Sequence, residues 1–301
     1  MPELGRLPPP GMPPAEVEIT EDLVLTLLRD QHPDLADQRL RLFGSGWDNT
    51  TFRLGDSLAV RLPRRRLGAE NMAKEQRWLP ELARRLPLSV GAPVRFGAPG
   101  PGYLWPWSIV EWVEGESAEV DPVVPGEAPR LGEFLRTLHR VAPHDAPLNA
   151  WRGVPLVERS FSVEQRLERL GSEDLSVPPE EIVKVWHQVK DVPIDIADRR
   201  WLHGDLHPRN VITRSGRIEA IVDWGDLCAG DPATDLAAAW LFFESGARDE
   251  FRAAYGGISA ATWERAKGWA VFFGVVMADA GRIDDHTWAR CGNTALERVC
   301  G

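Results

Sequence analysis

The segment His203-Gly204-Asp205-Leu206-His207-Pro208-Arg209-Asn210, with Asp223-Trp224-Gly225 beginning 13 residues after Asn210, constrains this chain more than any other feature. A carboxylate and an amide five residues apart can face one pocket only if a tight loop carries both. After that loop, Val211-Ile212-Thr213 and Ile218-Glu219-Ala220-Ile221-Val222 flank Arg214-Ser215-Gly216-Arg217, the pattern of a β-hairpin. Such a hairpin would return Asp223 to the neighbourhood of Asn210. One carboxylate to orient and deprotonate a hydroxyl, and two oxygen ligands to hold Mg²⁺ on a triphosphate, are what transfer of a γ-phosphoryl group requires. Asp205, Asn210 and Asp223 supply that set, Asp205 as the catalytic base and the other two as metal ligands.

Composition narrows the setting. With 301 residues, 43% of them hydrophobic and 27% charged, the chain is long enough for two modest domains with a sizeable core. Its formal charge of -10 argues against a nucleic-acid partner, because a phosphate backbone selects basic surfaces; it suits a cationic small molecule better. Cys228, Cys291 and Cys300 are odd in number and lack metal-ligand spacing, which favours a reducing cytoplasm over a disulfide framework. The first fourteen residues are Pro-rich and polar, without the apolar core of a signal peptide. The longest apolar run, 269–278, is too short to span a bilayer, so no membrane segment is expected. Nothing marks an oligomer interface, and a monomer is the default.

In the form H-G-D-x-H-x-x-N followed by D-W-G, the catalytic segment resembles the aminoglycoside phosphotransferase family, antibiotic kinases that share the protein-kinase fold, and is also similar to macrolide phosphotransferases. The match runs from about 40 to 239. It implies an α+β, protein-kinase-like bilobal fold: a Pro-rich, disordered leader over 1–18, a small nucleotide-binding lobe with an antiparallel sheet over 19–114, and a larger, mainly helical catalytic and substrate-binding lobe over 115–301. It also implies Mg²⁺-dependent transfer of the γ-phosphoryl group of ATP or GTP to a hydroxyl of a small molecule. An aminoglycoside-type antibiotic is the first acceptor to consider. A macrolide, another antibiotic, or a metabolic alcohol of the choline, homoserine or amino-sugar kind is the alternative, and a nucleotide-binding pseudoenzyme is the reading from another class. No A-P-E segment follows Asp223-Trp224-Gly225, which argues against a protein substrate.

The resemblance also distributes roles over the N-terminal part. A helix over 21–29 is followed by strands at 40–43, 50–54 and 58–62, with Gly44, Ser45, Gly46 and Asn49 in the loop that would cover the phosphates. Asn49 stands where protein kinases carry a third glycine. Leu58-Ala59-Val60-Arg61 aligns with V-A-I-K, placing Ala59 under the adenine and Arg61, in place of lysine, at the phosphates. The helix over 70–86 offers Glu75 as the partner of that cation, with Glu70 competing. Further strands are expected at 94–96 and 104–113, the second ending in a hinge where the backbone of Glu111 and Val113 would meet the adenine edge.

From residue 130 onward the apolar periodicity becomes helical. Helices are expected at 130–141, 163–170, 180–189, 232–243, 249–254 and 260–278. His203 and His207 read as supports of the catalytic loop, His139 as a core histidine, and Asp231 and Asp235 as helix caps or braces of that loop. Candidate carboxylates for a cationic acceptor are Asp226, Glu244, Asp249, Glu264, Asp279, Asp284 and Asp285. The 13 tryptophans are expected mostly in the core.

Overall fold

The computed structural model describes residues 12–194 and 197–301. The described residues divide into two compact units. One is Met12–Gly115 together with Glu219–Gly225, and the other is Glu116–Ile218 together with Asp226–Gly301.

The first unit opens with helix α1, Glu21–Gln31, whose first turn is capped by the Thr20 hydroxyl accepting from the Leu23 N–H at 3.2 Å. Strands β1 (Leu40–Ser45), β2 (Asn49–Leu54) and β3 (Leu58–Pro63) follow, then helix α2 (Arg66–Ala83) and strands β4 (Pro93–Gly97) and β5 (Trp107–Glu111). The five strands form one antiparallel sheet in the order β1-β2-β3-β5-β4. Strand alternation divides its faces. Phe52, Leu54, Val60, Leu62 and Ile109 pack with Val24, Leu27 and Leu28 of α1 in one fully buried cluster, where each such side chain contributes roughly 1.5–3 kcal/mol. Ala59 and Arg61 point the other way.

The strand expected over 104–113 is shorter at its start. Pro106 has no N–H for a ladder, and Tyr103 is held instead in a tight turn by reciprocal backbone bonds with Gly100 of 3.0 and 2.8 Å. The α2 helix begins at Arg66, four residues earlier than expected, and tolerates Pro80 near its end. Of the leader expected over 1–18, residues 1–11 lie outside the described residues. Glu16 is tied to the residue that follows β3, its N–H donating to the Arg64 carbonyl at 2.8 Å.

The second unit contains strand β6 (Glu116–Ser117), helices α3 (Ala128–Leu138), α4 (Ser160–Arg169) and α5 (Pro179–Val189), strands β7 (Arg200–Leu202), β8 (Val211–Arg214) and β10 (Cys228–Gly230), and the start of β9 (Arg217–Ile221), which runs on into the first unit at Glu219. Helices α6 (Ala233–Leu236), α7 (Ala238–Phe242), α8 (Ser245–Tyr255), α9 (Ala260–Gly281) and α10 (His286–Cys300) complete it. The hairpin β8–β9 turns at Ser215 and Gly216, both at positive φ (53° and 71°), as a type I′ turn requires. The single helix expected over 232–243 is two short ones. The last helix, α10, was not anticipated. It packs against α9 with Trp288, Gly292, Ala295, Leu296 and Val299 buried. Among the described residues no helix is long and apolar enough to cross a membrane.

Candidate active site

In the first unit the polar face of the sheet is built around Arg61. From the middle of β3 its guanidinium donates to both carboxylate oxygens of Glu75 on α2, at 2.7 and 3.4 Å, and approaches Asp223 Oδ1 at 3.6 Å. Of the two glutamates left open by the sequence, Glu75 is the one that meets Arg61; Glu70 pairs with Arg66 at 3.3 Å. Glu75 is 1% exposed, so the pair is almost wholly removed from water. Burial alone would lower the Arg61 guanidinium, but Glu75, Asp223 and Asp48 outweigh it and hold it above its ordinary value. The cation therefore remains charged across the neutral range.

Asp223 belongs to this unit because the chain returns to it over Glu219–Gly225, where the Ile221 N–H donates to the Ser89 carbonyl at 2.9 Å. Asp223 adopts φ 61°, a conformation a non-glycine residue rarely takes. Two residues on, the Gly225 carbonyl accepts from Lys74 Nζ of α2 at 2.6 Å. Nothing in the sequence marks this tie, which spans 151 positions.

Of the four residues expected in the phosphate loop, only Gly46 lies between the strands; Gly44 and Ser45 end β1, paired with Thr51 and Thr50, and Asn49 opens β2. Ser45 Oγ is 3.0 Å from Thr50 Oγ1, and the Gly46 N–H donates to the Asn49 carbonyl at 2.8 Å. Its tip is fixed by Asp48, which accepts from Arg65 Nη2 at 2.8 Å and from Asn71 Nδ2 at 3.0 Å. Neither Gly44 nor Gly46 has positive φ, and a Cβ on Gly44 would meet nothing within 4 Å. The fold itself does not require glycine there. Asn49 Oδ1 is buried without a hydrogen-bond partner. Ala59 is 3% exposed under the sheet, Glu111 ends β5, and Val113 lies two residues beyond it.

In the second unit the loop that carries His203, Asp205 and Asn210 is fixed by Asp235. Its Oδ2 accepts from the His203 N–H at 2.7 Å and its Oδ1 from the Gly204 N–H at 2.8 Å, while His139 Nε2 lies 3.1 Å away. Gly204 has φ 87°, and a Cβ there would fall 2.6 Å from the Asp226 carbonyl oxygen, so only glycine allows the loop to pass. Asn210 donates from Nδ2 to the Asp205 carbonyl at 2.9 Å, which leaves Oδ1 as its free-standing hard-oxygen donor. Arg209 forks onto Glu119 at 2.7 and 2.8 Å, bonds Asp285, and stacks on Trp288 at 4.2 Å.

The Asp205 carboxylate, 24% exposed, has a basic side chain on each side: His207 Nε2 at 3.1 Å from Oδ2 and Arg152 Nη2 at 2.7 Å from Oδ1. Burial would raise this carboxyl. His207 and Arg152 override it and hold Asp205 well below the usual carboxylate range. Arg152 also reaches Asp226 at 3.8 Å, and Asn149 donates to Asp226 at 2.6 Å. Arg152 was absent from the sequence reading, since it lies in an aperiodic stretch between Trp151 and Gly153.

The carboxylates nominated for a cationic acceptor are largely engaged by the chain itself. Asp279 is 3% exposed among Arg166, Arg169 and Arg282, at 3.4–3.6 Å. Asp285 pairs with Arg209 and Glu244 with Arg298. Asp249, Glu264 and Asp284 are exposed.

The profile described as "Phosphotransferase enzyme family" matches residues 39–269. No curated protein matches the sequence. Among solved structures, the chain is similar to an aminoglycoside 2'-phosphotransferase-IIIa in complex with GDP, with a TM-score of 0.67 and 20% identity over 94% of this chain and 99% of that one. A macrolide 2'-phosphotransferase from Brachybacterium faecium gives 0.60 and 22%, covering 91% and 97%. An ADP-bound aminoglycoside phosphotransferase gives 0.57 and 17%, covering 93% and 99%. These likenesses establish the fold: a five-stranded antiparallel sheet followed by a mostly helical region, as in the protein kinases.

Proposed function

The chain belongs to the phosphotransferase enzyme family, and from that premise we propose that it transfers the γ-phosphoryl group of ATP or GTP to a hydroxyl of a small molecule. The observation that carries this reading is Asp205: a half-buried carboxylate on a loop anchored by Asp235, kept ionised by its neighbours. The acceptor hydroxyl oxygen forms a bond to the γ-phosphorus, the bond to the β,γ-bridging oxygen breaks, and nucleoside diphosphate leaves. The hydroxyl proton passes to Asp205. Because its pKa is depressed, Asp205 orients the hydroxyl first and takes the proton late, as a loose, dissociative transfer permits.

Arg61, held by Glu75, is proposed to cradle the α- and β-phosphates, and its planar fork suits their oxygens. Gly44, Ser45, Gly46 and Asn49 would cover the triphosphate. The open space above Gly44 supports this, since close approach of a phosphate is a reason for glycine that the fold does not provide. Ala59 and the backbone of Glu111 and Val113 would receive the base. Asn210 and Asp223 present hard oxygens, the donor type that suits Mg²⁺. When bound there, Mg²⁺ would neutralise charge on the phosphate oxygens.

The similar structures are named for aminoglycosides and macrolides, and both belong in an acceptor panel as antibiotic-resistance substrates. Incubation with Mg²⁺, ATP or GTP and such a panel, extended to small hydroxy compounds and read by mass spectrometry, tests the proposal. A phosphorylated product from the native enzyme, absent with Asp205→Ala while nucleotide binding persists, is the expected result. Full transfer by Asp205→Ala would overturn it.

A further inference from the structure

Asp205 meets a histidine whose orientation has an unusual source. An ionised carboxylate only accepts, so His207 Nε2, 3.1 Å from Asp205 Oδ2, carries the proton of that contact. The Asn210 side-chain nitrogen lies 3.4 Å from the same ring nitrogen, but it is also a donor and does not steer the ring. On the other side of the imidazole, Nδ1 is buried without a hydrogen-bond partner. A histidine that serves a reacting group is usually set by the hydrogen bond its second nitrogen makes to a carboxylate or a backbone carbonyl. His207 lacks that bond, and its orientation falls to packing.

The packing comes from Trp288, in the first turn of α10. Its indole meets the His207 imidazole at a steep angle, with ring centres 4.8 Å apart and planes at 75°, the arrangement in which aromatic rings attract beyond the area they bury. Trp288 is 8% exposed and is itself held twice. Its N–H donates to Asp285 Oδ1 at 3.2 Å, the cap of α10, and the Arg209 guanidinium lies 4.2 Å from the ring centre. Arg209 is fixed in turn, since it forks onto Glu119 at 2.7 and 2.8 Å and bonds Asp285. Both His207 and Arg209 therefore grip one tryptophan, and α10 reaches the Asp205 carboxylate through Trp288 and then His207.

Resting on the phosphotransferase reading above, we propose that Trp288 is a positioning residue for the transfer: it fixes the plane of His207, and His207 holds Asp205 in one orientation for the acceptor hydroxyl. The last helix of the chain is then part of the transfer machinery as well as a buttress of α9. Without the indole the imidazole is free to turn, and the carboxylate gains a second arrangement. Nucleotide binding, which the proposed function assigns to other residues, is left as it was.

The test uses the full chain with water as the acceptor. Mg²⁺-dependent release of inorganic phosphate from ATP and from GTP is followed in the native protein, Asp205→Ala, Trp288→Leu, Trp288→Phe, His207→Ala and the double variant Trp288→Leu/His207→Ala. Trp288→Leu should lower kcat about ten- to a hundredfold, the cost of a misplaced reacting group, with nucleotide KM unchanged. Trp288→Phe, which keeps a ring beside the imidazole, should recover most of that loss. The double variant should be no slower than His207→Ala, because a tryptophan that acts through the histidine has nothing left to act on. Losses that multiply in the double variant overturn the inference, and so does native kcat in Trp288→Leu. Trp288→Met replaces Trp288→Leu if the latter does not fold. A second measurement needs no turnover. With isotope-labelled histidine, the ring nitrogen signals of His207, assigned through His207→Gln, should show the proton on Nε2 in the native protein and Trp288→Phe, and should shift or broaden in Trp288→Leu. Identical His207 signals in native and Trp288→Leu protein overturn the inference. Asp205-dependent phosphate release with multiplying losses removes the role of Trp288 and keeps the phosphotransferase reading. Conversely, His207 signals that respond to Trp288, in a protein that neither binds nor hydrolyses nucleotide, would sink the phosphotransferase reading and keep the contact.

Discussion

The two polar clusters of this protein are built on opposite principles. Around Arg61 the first unit closes its own charges: a bidentate glutamate, a nearby aspartate and a lysine spent on a backbone carbonyl. Around Asp205 the second unit leaves a carboxylate 24% exposed, with one guanidinium shared between it and Asp226. A self-satisfied cluster is preorganised and needs no ligand to be stable. An unsatisfied one is completed by what binds. On the proposed reading, the first cluster would serve the nucleotide, common to all such reactions, and the second the acceptor, which differs.

Removing a group from each cluster should separate the two. The largest effect belongs to Asp205→Ala, which should lower kcat by about 10²–10⁴-fold, the usual range for a general base, with the nucleotide KM little altered. A comparable rise in nucleotide KM would mean that the clusters do not divide the work in this way. Next, Glu75→Gln strands the Arg61 cation and should cost about 3–5 kcal/mol in chemical denaturation. The double variant Arg61→Met/Glu75→Leu should recover most of that stability while nucleotide affinity stays lost. If stability is not recovered, the pair is packing the sheet against α2 rather than balancing charge.

Lys74→Met tests the tie to Gly225. Losing a charged hydrogen bond is worth roughly 1.5–3 kcal/mol, and the loss should appear as a fall in kcat and in Mg²⁺ affinity, measured by titrating the metal, more than in KM for the acceptor. The smallest effect concerns pH. Asp205 has a depressed pKa in the folded state, so its contribution to stability is present above the ordinary carboxylate value of about 4 and is lost as pH falls through the lower folded value. Denaturant midpoints of Asp205→Asn should thus decline less steeply than those of the native protein on the acid side of pH 4, and parallel curves would exclude this linkage.

What the sequence reveals follows the range of the interactions concerned. The catalytic segment is legible because its residues lie within eight positions, and the β8–β9 hairpin because Ser215-Gly216 encodes its own turn. Strand alternation around Arg61 was readable for the same reason. Arg152 was not, since it meets Asp205 across 53 positions from a stretch without periodicity. The α10 helix escaped because its packing surface uses Gly292 and Ala295 against α9, where a Cβ on Gly292 would fall 2.5 Å from the Ala278 nitrogen. Small residues in close contact leave little apolar pattern to detect.

The residue after Arg152 sets a clock for the acceptor cluster. Gly153 sits at φ 67°, donates its N–H to Thr234 Oγ1 at 3.1 Å and accepts from the Asp231 N–H at 3.1 Å, while a Cβ on it would lie 2.8 Å from the Gly230 Cα. The backbone beneath Arg152 is thus pinned from both sides. The guanidinium can leave Asp205 only by rotating its own side chain, a picosecond-to-microsecond event rather than the slower swing of a loop. Handing the carboxylate from guanidinium to hydroxyl would then be too quick to limit turnover, and slow steps must be sought in the chemistry or in product release.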